Sequence, residues 1–90
     1  MTTSVTSQKG AEISPEKYME ILKTAARMGR NAAHLTDDAE NHMYYRINSG
    51  MSSYEDESYK NLDKAIEETK KVLELLEQVK SAKINFDLFE

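Results

Sequence analysis

The chain predicts an all-α fold, an antiparallel two-helix hairpin that pairs into a dimeric four-helix bundle. Three observations lead there. Apolar and small residues recur at three-four spacing along two long stretches, the period of one helix face. One proline and three glycines leave little punctuation for a β fold. Ala25, Ala32 and Ala39 sit seven residues apart, on one stripe of the first stretch, where small side chains allow another helix to approach closely.

Residues 1–13, rich in Ser and Thr and without periodicity, read as a disordered arm. The helical hairpin follows over residues 14–83. Ser14 is a good N-cap, Pro15 fits the first helical position, and Glu16 favours the positive end of the helix dipole. The stripe then runs Tyr18, Ile21, Leu22, Ala25, Met28, Ala32, Leu35, Ala39, Met43 and Ile47. Asn48-Ser49-Gly50 supplies the stop. Thr36-Asp37-Asp38 has the form of a second helix start, and a break there gives three helices. The stripe crosses that site without a slip, which favours one continuous helix.

The second helix opens at Ser52 or Ser53, where Ser52 with Glu55, or Ser53 with Asp56, resembles a capping box. Its stripe is Tyr59, Leu62, Ile66, Thr69, Leu73 and Leu76; Ala65, Val72 and Val79 widen it on one flank, and Leu75 lies further off the seam. Counting back from the turn sets Ala25 opposite Leu76, Ala32 opposite Thr69 and Ala39 opposite Leu62. The same count brings Met28 near Leu73, Leu35 near Ile66 and Leu22 near Val79. Asp56 with Lys60, and Glu67 with Lys71, form acid-first pairs on the outer side. The apolar face is wider than one partner helix covers, so a second copy is expected to take the rest. Residues 84–90 form a C-terminal apolar and acidic tail that holds both phenylalanines.

Charge and composition narrow the function. Ninety residues make one small domain. The net charge is −4, with ten Asp and Glu against six Lys and Arg in residues 51–90, so no nucleic-acid partner is expected. No apolar run reaches a membrane span, no signal peptide is evident and there is no cysteine, so the expected home is cytoplasmic. No nucleophile is paired with a base, and a slim hairpin offers no deep pocket, so the chain reads as no enzyme. No cofactor is implied. His34, Asp38 and His42 share i,i+4 spacing, but they drift around the helix, and no metal site is read from them.

What remains is binding. Tyr44, Tyr45, Arg46, Met51 and Tyr54 make the turn end an aromatic, methionine-rich candidate surface for a partner protein. Lys23, Arg27 and Arg30, continued by His34, form a basic outer stripe, the candidate site for a small anionic ligand bound by an oligomer. In the tail, Asn85-Phe86-Asp87-Leu88-Phe89 resembles the pentapeptide by which bacterial proteins dock on the DNA-polymerase sliding clamp, of consensus Gln-Leu-Ser/Asp-Leu-Phe. Asp87, Leu88 and Phe89 match it; Asn85 stands in place of the glutamine and Phe86 in place of the leucine. The resemblance implies a clamp-binding tail. The bland alternative folds Ile84, Phe86 and Phe89 back on Tyr18 and Ile21. The expected function is that of a protein-binding regulator or inhibitor from a bacterium or its phage.

Overall fold

The computed structural model describes residues 12–88. The element order is β1 (Glu12–Ile13), α1 (Pro15–Ser49), α2 (Ser52–Ser81) and β2 (Lys83–Ile84). The two helices pack against each other as an all-α hairpin, and the body measures 62 × 27 × 14 Å.

Local sequence explains the helix ends. The Ser14 side chain accepts the Lys17 N–H at 3.1 Å, and Pro15 follows in the first turn, where no intrahelical donor is needed. At the other end Gly50 adopts φ 78°, a left-handed conformation that lets its N–H reach the Arg46 carbonyl at 2.9 Å. Helix α1 is continuous through Thr36, as the unbroken stripe predicts. The Thr36 hydroxyl donates to the Ala32 carbonyl one turn back, so it does not cap a new helix at Asp37.

Helix α2 begins at Ser52, but neither capping box forms. Met51 occupies the cap position and makes no side-chain bond. Glu55, the acid of one expected box, instead accepts from Arg46 Nε at 3.0 Å and from the Tyr59 hydroxyl at 3.3 Å. Lys60 pairs with Glu57 rather than with Asp56.

The seam differs from the predicted one. On α1 the buried positions are Ile21, Ala25, Ala32 and Ala39, as expected. On α2 they are Ser58, Ala65 and Val79, with Asn61, Glu68, Val72 and Leu75 half-buried. The flank residues Ala65, Val72 and Val79 therefore form the seam, while Tyr59, Leu62, Ile66, Thr69, Leu73 and Leu76, the predicted seam, face outward. The Ser58 hydroxyl donates to the Ala39 carbonyl across the interface at 2.8 Å. Counting antiparallel from that bond sets Ala32 level with Ala65 and Ala25 level with Val72.

The reason for this register lies at the turn. Two residues, Gly50 and Met51, connect the helices and must cross the roughly 8–10 Å between their axes. The helices do not leave the turn level. Ten residues of α1 follow Ala39, whereas six of α2 precede Ser58, so α1 overhangs by about one turn. Ile47 lies on that overhang, with Tyr44 and Tyr45 just before it, and all three are exposed.

The open end is closed by strands. Residues Glu12 and Ile13, read from sequence as the end of a disordered arm, pair in parallel with Lys83 and Ile84. The rest of that arm lies outside the described residues, as does Phe89.

Candidate functional site

The outward face of α2 is strongly apolar. Leu62, Ile66, Leu73 and Leu76 project from it, with Ile66 and Leu73 each more than half exposed (52% and 56%). The buried apolar residues of the hairpin are Ile21, Val79 and four alanines. A fully buried Leu or Ile contributes about 1.5–3 kcal/mol, far more than an alanine methyl. The larger apolar stripe of α2 is thus the one the hairpin leaves in water.

Leu62, Ile66 and Leu73 line a groove together with Ala65, Thr69, Lys70 and, from α1, Thr36. Both threonines return their hydroxyls to their own helix: Thr69 to the Ala65 carbonyl at 2.7 Å and Thr36 to the Ala32 carbonyl at 2.8 Å. Their methyl groups are then free to meet an apolar partner without leaving an unsatisfied hydroxyl behind. Sequence reasoning found the apolar stripe Leu62, Ile66, Leu73 and Leu76 but set it against α1. Asp63 and Lys70, on the outer flank of the stripe, it did not single out.

The turn end gathers the predicted aromatic cluster. The rings of Tyr45 and Tyr54 lie 5.6 Å apart, Tyr44 and Tyr45 5.8 Å apart, and His42 stacks on Tyr54 at 6.3 Å. Tyr54 is half-buried beneath the cluster; Tyr44, Tyr45 and Met51 are exposed. Arg46 is held by Glu55, which fixes its direction on this surface. His42 Nδ1 is buried without a hydrogen-bond partner among the described residues. The histidine is thus engaged with Tyr54, and among the described residues no three His, Cys, Asp or Glu side chains converge as metal ligands.

The basic residues and the tail are less well formed for binding. Lys23, Arg27 and Arg30 are exposed on α1; Lys23 and Arg27 share a shallow surface groove with Glu16 and Glu20, whose carboxylates offset their charge. In the tail, Asn85 donates its backbone N–H to the Ile13 carbonyl at 2.9 Å and its side-chain amide to Glu12 at 3.0 Å. Its side-chain oxygen accepts the Asp87 N–H at 2.9 Å, and its carbonyl accepts the Leu88 N–H at 3.0 Å. The residue that stands for the clamp glutamine is therefore occupied within the chain. Phe86 is 71% exposed, so it does not fold back on Tyr18 and Ile21 as the bland reading expected; Asp87 and Leu88 are exposed as well.

No helix among the described residues is long and apolar enough to cross a membrane. Compared with known proteins, the chain matches no family model, no curated protein and no solved structure.

Proposed function

We propose that this chain is a small, non-enzymatic, cytoplasmic protein-binding module that works as a dimeric four-helix bundle and regulates or inhibits another protein through contacts at its turn. The observation that carries this reading is the outward face of α2, large, apolar and free of unsatisfied threonine hydroxyls. A 90-residue chain with an alanine-rich seam gains little from its own core, and burying this face against a second copy supplies what the hairpin lacks. The turn then serves a different partner. Tyr44, Tyr45 and Met51 offer exposed contact area, and Arg46 is preoriented by Glu55.

Light scattering tests the assembly. The wild-type chain is expected at twice the chain mass, and Leu62→Lys/Leu73→Lys at one chain mass with its helical circular dichroism retained. A wild-type monomer at micromolar concentration would remove the basis of the proposal. Capture of host proteins by the wild type, but not by Tyr44→Ala/Tyr45→Ala, tests the turn as the partner surface; equal capture by both would move that surface elsewhere.

A further inference from the structure

Resting on the self-association just proposed, we infer that two copies pair antiparallel through α2, about a twofold axis passing between Ile66 and Thr69, with Asp63 of each chain against Lys70 of the other. The outward stripe, Tyr59, Leu62, Ile66, Thr69, Leu73 and Leu76, alternates steps of three and four, the spacing of a coiled-coil seam. Such a stripe complements itself when reversed. Tyr59 meets the partner's Leu76, Leu62 meets the partner's Leu73, and Ile66 meets the partner's Thr69. The axis falls near the middle of Ser52–Ser81, so the two helices overlap along nearly their whole length.

Charge selects this orientation. The flank of the stripe away from α1 carries Asp56, Asp63, Lys70 and Glu77, seven residues apart. An antiparallel pair sets this flank against the same flank of the partner, so Asp63 meets the partner's Lys70 twice around the axis. Among the described residues neither Asp63 nor Lys70 forms an ion pair within its own chain, and both are exposed. Asp56 and the partner's Glu77 are like-charged, but they lie at the solvated ends, where screening is strongest. A parallel pair would set the charged flank against Ser58, Ala65, Val72 and Val79, which carry no charge and already pack on α1.

Topology selects it too. Helix α1 lies on the Ser58–Val79 side of the stripe in each chain. An antiparallel twofold axis brings both α1 helices to one side, where they close a four-helix bundle. A parallel one leaves them on opposite sides, as an open layer. Thr36 of α1 already lines the same groove as Leu62, Ile66 and Leu73, so α1 joins the face that the second copy would cover. The two turn clusters then lie at opposite ends of the assembly, and each dimer presents two separate partner sites.

The native chain has no cysteine, so a single nitroxide spin label can be placed at Ile47→Cys, a position 74% exposed at the turn end. Dipolar spectroscopy on the dimer is expected to give a label separation of about 45 Å or more, the length of α2. A separation well below that in a confirmed dimer overturns the orientation and leaves self-association standing; a wild-type monomer overturns both. Asp63→Lys is expected to weaken the dimer about tenfold, by two lost pairs and two new repulsions, and Asp63→Lys/Lys70→Asp to restore it. A single variant as tight as wild type, or a double variant without recovery, overturns the register.

Discussion

On α2, Ser58, Ala65, Val72 and Val79 face α1, while Tyr59, Leu62, Ile66, Leu73 and Leu76, on the neighbouring stripe, face outward. The inner set is small and includes a serine whose hydroxyl bonds to the backbone of the other helix. The outer set is large and branched. Burial by hydrophobicity alone would invert this choice. Close approach decides it instead: opposite Ala25, Ala32 and Ala39, small side chains let the helices come together, whereas leucines would hold them apart. The lesson is that one helix can carry two apolar stripes, a tight one packed within its own chain and a larger one left facing outward.

Breaking the inner seam should have the largest effect. Ala65→Leu, or Ala32→Leu opposite it, forces a large side chain between closely packed helices and is expected to cost about 2–3 kcal/mol. For a chain of this size that lowers the melting temperature by roughly 10 °C or more, measurable by circular dichroism. If either leucine is tolerated without loss, the tight seam is misplaced.

The outer seam predicts a different signature. Ile66→Ala should raise the dimer dissociation constant by one to two orders of magnitude, about 1.4–2.8 kcal/mol, in sedimentation equilibrium. The wild-type melting temperature should rise with protein concentration, and that dependence should weaken in the variant. An Ile66→Ala variant that melts lower but associates as tightly as wild type would place Ile66 inside the hairpin rather than between copies.

Smaller effects sharpen the contrast at the turn. Gly50→Ala places a Cβ at φ 78° and is expected to cost about 1 kcal/mol in urea unfolding, the price of the left-handed cap rather than of a clash, since open space surrounds the glycine. Ser58→Ala removes the hydroxyl bond to Ala39 and should cost about 0.5–1.5 kcal/mol. Arg46→Ala breaks a partly exposed ion pair with Glu55 and should cost under about 1 kcal/mol of stability. If partner binding uses the turn, the same change should weaken capture far more than it weakens the fold.

The residues that could be read directly are those whose role is local. Ser14 and Pro15 start α1, Gly50 ends it, and the three-four period carries the helix through Thr36, because each depends on neighbours within a turn of chain. The aromatic cluster was legible for the same reason: the two-residue connection brings Tyr45 and Tyr54 together. The outward face was harder. Leu62, Ile66, Leu73 and Leu76 declare themselves apolar, but apolarity does not say which helix they meet. Asp63 and Lys70 gain meaning only once that face is known to point outward.

By itself, then, the sequence determined two long helices, both ends of the first, and an alanine stripe on it that must sit in a close contact. Hydrogen bonding along the backbone and side-chain periodicity suffice for that. Only the tertiary structure decided which stripe of α2 turns inward, how far α1 overhangs at the turn, and that Glu12–Ile13 joins Lys83–Ile84 at the open end. Those choices depend on how a two-residue connection crosses between two helices and how near their axes can come, distances set between residues far apart in the chain.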